Sequence, residues 1–460
     1  DTLRPVKRVS PSGAYATFTY DDTAMTVAEE VFAADGSVAG KTLKYLNGLG
    51  QVRREETYGP NNIVDIIEKK YTKFGEEWKT SRPYRAGDTV YWTENVYDAQ
   101  RRLIKVVEPD GSETKVFYNE ARLPDSVTDQ PGNRIRVVDA WGRERWGRYD
   151  QQGRLVEVVE PNPDRSANPT GRIFDDRGNA IVGSLLTRYS YDTLGRLIET
   201  KQGAQIRKFK YDDLGRLIRQ KLAEQTATLN EAGQFVGAGQ PGANWAEAFV
   251  YDSRSNLVQK TDPRGVRTNY SYQLPGGGGD DPLNRLQSRS YDLSGPLEAG
   301  LAIHPAPAVT YSYVTSGDKT RVSRIRTEGF LTEDYFYDSE GRVSEYRQTV
   351  DYRAGYPMAV SYLYDSLDRI SEVYYPAQYG IAGNPRKIVA HTYDTASRLS
   401  SLTVGGELAA SQIVYNAADQ TTSIRIGAAG ANQVTEEYTF DPQTGLLTNQ
   451  RAQRGSDTIL

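Results

Sequence analysis

Apolar and polar positions along this chain fall into short stretches of strand length, such as 103–108 and 112–118, each closed by turn residues. No stretch has the length and periodicity of a long helix, and the pattern reads as strand, turn, strand, turn. One phrase punctuates it: Tyr97-Asp98-Ala99-Gln100-Arg101-Arg102-Leu103, Tyr149-Asp150-Gln151-Gln152-Gly153-Arg154-Leu155, Tyr191-Asp192-Thr193-Leu194-Gly195-Arg196-Leu197, Tyr211-Asp212-Asp213-Leu214-Gly215-Arg216-Leu217 and Tyr337-Asp338-Ser339-Glu340-Gly341-Arg342-Val343. Further copies start at Tyr251, Tyr291, Tyr364 and Tyr393, and degenerate ones at Tyr118, Phe174, Tyr415 and Phe440. Repeats spaced by about twenty residues mark a repeat architecture, in which one supersecondary unit is stacked many times.

The phrase has the chemistry of a hairpin turn. Asp at the first position bonds forward to the backbone, and Gly three residues later tolerates positive φ, which together suit a type I turn closed by a G1 bulge. Such a turn pairs Asp with Arg across the ladder and Tyr with Leu on the opposite face. The Asp–Arg pair, worth about 0.2–1 kcal/mol if exposed, serves mainly to set register. Pro11-Ser12-Gly13, Pro109-Asp110-Gly111 and Pro263-Arg264-Gly265 supply the turns at the other end of the strands. Adjacent strands rotate by about 20–25°, so a long row of hairpins coils into a spiral or barrel-like wall. The expected fold is therefore all-β: a continuous antiparallel sheet of Tyr-Asp hairpins coiled into a spiral, hollow, barrel-like shell.

Residues 1–96 read as degenerate repeats that start the wall, with loose copies at Tyr45 and Tyr71, and 97–460 as regular ones. Interruptions near 221–248 and 274–282, the second with the tract Gly276-Gly277-Gly278-Gly279, are expected to be loops at a rim. The half-unit at 11–20 and the strand opening at Thr458 imply one continuous repeat domain cut from a larger protein.

Composition sharpens this picture. Hydrophobic residues are 38% and mean hydropathy is −0.64, lean for filling thick cores, while 32 tyrosines against 11 phenylalanines suit strands that are apolar along the ring and wet at the hydroxyl. A net charge of −4 with dispersed Lys and Arg argues against a nucleic-acid partner. The absence of cysteine excludes disulfides and thiolate metal sites, and no apolar run is long enough for a membrane-spanning helix.

Catalytic chemistry finds little to stand on. His304 and His391 are the only histidines, and both read as structural. The doubled carboxylates Asp21-Asp22, Asp175-Asp176, Asp212-Asp213 and Asp280-Asp281 lie mostly at repeat turns, and neighbours on a strand point to opposite faces rather than to one substrate atom. The glycine tract lacks the Lys-Ser/Thr of a phosphate loop, and Asp441-Pro442 falls inside a repeat turn. No catalytic, metal or cofactor-binding residue is assigned, and the chain is expected not to be an enzyme.

The recurring Tyr-Asp-x-x-Gly-Arg-Leu, clearest at 191–197 and 211–217, resembles the YD repeat of Rhs proteins, of the B and C components of Tc toxins, and of teneurins. The resemblance covers essentially the whole chain and implies a hollow spiral sheet that encloses a C-terminal, toxin-like polypeptide of the same full-length chain. It also implies a secreted or cell-surface, bacterial setting. The alternative is an extracellular adhesion or carbohydrate-binding scaffold, with cell-surface glycans or proteins as partners.

Overall fold

The computed structural model describes all residues except 1–3, 120–132, 162, 165, 167–182, 301, 305, 378–382, 384 and 460. The degenerate phrase at Phe174 and the pair Asp175-Asp176 lie outside the described residues. The rest comprises 34 β-strands and three short 3₁₀ turns. By spatial proximity the chain divides into two compact units, one built from 1–113 and 334–460, the other from 114–333.

Each unit is an antiparallel meander in which strands consecutive in sequence pair with one another. In the second unit, Leu185–Tyr191 pairs with Leu197–Gln202, which pairs with Gln205–Tyr211, which pairs with Leu217–Lys221. In the first, Met358–Tyr364, Ile370–Ala377, Arg386–Tyr393, Leu399–Val404 and Glu407–Tyr415 follow one another in the same way. The all-β hairpin fold read from the sequence is the fold observed.

Cross-strand charge pairs tie neighbouring strands. Glu157, buried in Leu155–Glu160, takes Arg148 Nε at 2.8 Å from one side and Arg188 Nε at 3.0 Å from the other. Each arginine stands directly opposite it in the register. A carboxylate held by two guanidinium groups keeps its lone pairs occupied where water is scarce.

The interruption at 222–246 is more than a rim loop. Leu229 and Trp245 form a bridge and, with Ala248 and Phe235, a small apolar core of their own. The segment with the glycine tract carries the 3₁₀ turn Pro275–Gly277.

Within the first unit, the two segments meet turn to turn. Ser12 Oγ donates to the Ser366 carbonyl at 2.6 Å, and the Ala34 N–H donates to Ser366 Oγ at 3.0 Å. Arg85 Nη2 reaches the Tyr415 carbonyl at 2.9 Å, and Arg82 Nη1 the Gln443 carbonyl at 3.1 Å. Asp65 sits between Arg85 Nε at 2.6 Å and Arg398 Nη1 at 3.5 Å. Turns joining the early strands thus lie on the Tyr-Asp turns of the late ones.

Candidate functional site

The recurring feature of the surface is the rim of Tyr-Asp turns. At 191–197, the Asp192 N–H donates to the Arg196 carbonyl at 2.9 Å and the Gly195 N–H to the Asp192 carbonyl at 3.0 Å, closing the expected turn with Gly195 at φ +80°. Asp192 Oδ1 accepts the backbone N–H groups of Leu194 at 3.0 Å and Arg196 at 2.9 Å, while Oδ2 accepts Arg196 Nε at 2.6 Å. Asp212, Gly215 and Arg216 repeat the arrangement, as do Asp150, Gly153 and Arg154, and Asp338, Gly341 and Arg342. Asp98 and Arg102 do so with Arg101 in the left-handed position at φ +66°. The backbone N–H of Arg196 holds the Asp192 carboxyl below the usual aspartate range, against partial desolvation.

Tyr and Leu pair across each hairpin as the sequence suggests, as in Tyr97↔Leu103, Tyr149↔Leu155, Tyr191↔Leu197 and Tyr211↔Leu217. A second irregularity was not legible in the motif. One residue beyond that pair the register slips, Ser190 facing Glu199, so Ile198 has no partner of its own. The same slip immediately precedes Tyr97, Tyr149, Tyr211, Tyr251, Tyr364 and Tyr393. Such a bulge bends the strand and adds local twist.

The phrases are also linked to one another. Arg196 Nη1 donates to the Asp212 carbonyl at 2.8 Å, and its guanidinium lies over the Tyr211 ring, 5.1 Å from the centroid. Arg154 covers Tyr191 at 5.0 Å, Arg216 covers Tyr251 at 4.9 Å, Arg342 covers Tyr364 at 4.5 Å, and Arg369 covers Tyr393 at 4.4 Å. In return the tyrosine hydroxyl donates to a carbonyl just after the preceding turn: Tyr191 to Leu155 at 2.8 Å, Tyr251 to Leu217 at 2.9 Å, Tyr364 to Val343 at 2.9 Å and Tyr393 to Ile370 at 2.8 Å. Burial pushes these four phenols up from their ordinary pKa. Arg therefore does more than set register within its own hairpin: it clamps the next tyrosine, a contact worth about 0.5–2 kcal/mol.

One assignment needs correction. Tyr291-Asp292 with Gly295 is not a Tyr-Asp turn: Asp292 ends the strand Ser288–Asp292 opposite Arg267, at the far end of that hairpin, and Gly295 lacks positive φ. The turn of this hairpin is split. Tyr272 supplies the aromatic residue, 273–280 is inserted, and Asp281-Pro282-Leu283-Asn284-Arg285-Leu286 completes the phrase, with Arg285 Nε on Asp281 Oδ2 at 2.8 Å and Asn284 at φ +56°. The signal was present as Asp-x-x-Asn-Arg-Leu, separated from its tyrosine. A further phrase, Tyr313↔Val322, is hidden by a longer turn.

The other candidates are accounted for locally. Asp21 Oδ1 accepts the N–H groups of Thr23 and Ala24, Asp22 pairs with Arg4, Asp280 with Arg254, and Asp441 closes its own turn through Gln443 and Thr444. His391 lies in the strand Arg386–Tyr393 opposite Leu402, and His304 is exposed. Among the described residues no group of three or more His, Asp or Glu side chains is placed to hold a metal ion. Clefts open between the segments of the first unit. One of about 380 Å³ is lined by Arg82, Tyr84, Tyr91, Asn416, Gln420 and Phe440, and another of about 450 Å³ lies between 33–39 and 365–369.

No family description and no curated protein matches the sequence. Solved structures do match in fold. The crystal structure of TcdB2-TccC3-TEV superposes with a TM-score of 0.69 at 13% identity over 94% of this chain. The crystal structure of TcdB2-TccC3 gives 0.61 at 14% over 97%, and a Photorhabdus luminescens Tc holotoxin pore gives the same values. The chain spans 22% of the length of each of these solved chains. No helix among the described residues is long and apolar enough to cross a membrane. Repeat phrase and three-dimensional fold agree: this chain shares the fold of the TcdB2-TccC3 proteins of the Tc toxins, as its YD-repeat resemblance implies.

Proposed function

We propose that this run of hairpins is a wall of an Rhs-type shell that encloses a toxin-like polypeptide carried downstream in the same full-length chain. The role is mechanical rather than enzymatic, in a secreted or cell-surface bacterial protein. The carrying observation is the link from repeat to repeat: Arg196 on Tyr211, Tyr191 on the Leu155 carbonyl, and their counterparts join each hairpin to the next. Such a row of hairpins can lengthen by adding repeats, needs no thick core, and suits a container. The fold shared with TcdB2-TccC3 supports the same reading.

The test is protection. In the full-length polypeptide under native conditions, the segment downstream of the repeats should resist a broad-specificity protease and become digestible once the repeat sheet is unfolded. Digestion of that segment at the same rate before and after unfolding would overturn encapsulation. Turnover of a peptide or glycan by the purified repeat run, retained through independent preparations, would overturn the non-enzymatic role.

A further inference from the structure

The turn at 47–51 has the geometry of the Tyr-Asp turns, with Asn47 where they carry aspartate and Gln51 where they carry arginine. The Asn47 N–H donates to the Gln51 carbonyl at 2.8 Å and the Gly50 N–H to the Asn47 carbonyl at 2.9 Å. Asn47 Oδ1 accepts the backbone N–H groups of Leu49 at 2.9 Å and Gln51 at 3.0 Å, and Nδ2 donates to Gln51 Oε1 at 3.0 Å. The turn at 416–420 repeats this arrangement. Asn416 Oδ1 accepts the N–H groups of Ala418 at 2.9 Å and Gln420 at 3.0 Å, and Nδ2 donates to Gln420 Oε1 at 2.9 Å. The two turns differ in the residue that follows the asparagine: Asn47 precedes Gly48, in the one Asn-Gly pair of the sequence, and Asn416 precedes Ala417. Gly48 is exposed, and a Cβ built on it would meet nothing within 4 Å.

We propose that Asn47 is a site of spontaneous deamidation in the folded protein, and that the turn itself assists the reaction. The backbone nitrogen of Gly48 loses its proton to solvent hydroxide and bonds to Asn47 Cγ. The Cγ–Nδ2 bond then breaks, and the nitrogen takes a proton from water and leaves as ammonia. Water reopens the resulting succinimide at Cγ to give aspartate, or at the backbone carbonyl carbon of residue 47 to give isoaspartate. Negative charge gathers on Oδ1 as the bond to Cγ forms. The N–H groups of Leu49 and Gln51 already point at that oxygen and stabilise the charge as the donors of an oxyanion hole do. Among the described residues the Gly48 N–H donates to no acceptor, so no hydrogen bond has to break to free the attacking nitrogen. Asn416 has the same two donors, but the Cβ of Ala417 narrows the backbone rotations through which the ring can close. Each event adds one negative charge at the place where the other phrases carry aspartate.

The test is to age the purified 460-residue chain at mildly alkaline pH, folded and in urea, and to follow the peptides carrying Asn47 and Asn416 by mass spectrometry. In the folded chain Asn47 should convert no more than about tenfold slower than in urea, and at least about tenfold faster than Asn416. A larger gap between the folded and urea rates overturns the proposal, because the turn then protects Asn47 instead of assisting its loss. Equal folded rates at Asn47 and Asn416 also overturn it, because Gly48 then contributes nothing. Gly48→Ala falls where there is room for the methyl group and where φ is not left-handed, so the melting temperature should stay unchanged. In that variant Asn47 should slow to the Asn416 rate, and conversion that is not slowed would overturn the role given to Gly48.

Discussion

Asp368 holds the left-handed position of its turn at φ +63°, and its carboxylate accepts Arg342 Nη1 of the preceding phrase at 2.5 Å. Ser397 receives Arg369, Asp419 receives Arg398 and Ser255 receives Arg216 in the same way. Where glycine stands instead, the preceding arginine packs on it: a Cβ on Gly195 would lie 3.5 Å from Arg154 Nη1. A non-glycine residue at this place thus accepts backbone strain and receives a partner.

Asp368→Ala and Asp368→Gly separate the two contributions. The alanine keeps the left-handed strain and loses Arg342, and a loss of about 1 kcal/mol is expected in urea melts. The glycine loses the same partner but relieves the strain, and should fall within about 0.5 kcal/mol of the parent. Equal losses for the two would argue against strain at this position.

Gly195 and Gly215 have φ of +80° and +81°. Alanine at either should lower stability by about 1 kcal/mol or somewhat more, because the cost is backbone conformation rather than a clash. Thermal melts of Gly195→Ala and Gly215→Ala measure it, and unshifted transitions would exclude this turn type.

Tyr191→Phe, Tyr251→Phe and Tyr393→Phe each delete a hydroxyl bonded to the carbonyl of Leu155, Leu217 or Ile370 while keeping the ring under its arginine. A loss of about 0.5–1.5 kcal/mol per site is expected in denaturant unfolding. Tyr→Ala at the same sites should cost more, since it also removes the stacked ring. Parity between the Phe and Ala variants would mean that the stack contributes nothing.

Stability should fall at both ends of the pH scale, for opposite reasons. The Asp192 carboxyl titrates below its ordinary value of 3.8 when folded. Its contribution is therefore complete above that value and drains as pH falls through the lower, folded pKa. Tyr58 is pushed up to about 12, first by burial and then by its bond to Glu56. Its neutral form is favoured by folding, so stability declines as pH rises from about 10, where the unfolded phenol ionises, toward the folded value. Asp192→Asn should flatten the acid side of the melting-temperature curve and Tyr58→Phe the alkaline side. Spectrophotometric titration of the phenols checks the second directly.

The Tyr-Asp-x-x-Gly-Arg turn was legible because its causes are local: Asp192 bonds forward to residues two and four positions on, and Gly195 is free to take positive φ. The same local logic read Tyr291-Asp292 as a turn, although it stands at the far end of its hairpin. Only strand register showed that Tyr272 and Asp281, split by an insertion, are the true pair.

What the sequence determined by itself is the repeating unit: strand length, turn type, and the Tyr–Leu and Asp–Arg pairs, all set by side chains within about seven residues of one another. Tertiary structure decided what each unit does to the next. The bulge at Ile198, the arginine laid over the following tyrosine, and the hydroxyl returned to the Leu155 carbonyl depend on which strand lies alongside. Ser12 and Ser366 are 354 residues apart, and no local preference could bring them together. A turn's own dihedrals and pairings are set by its near neighbours, whereas a contact between distant segments is set by how the strands of the whole unit pack.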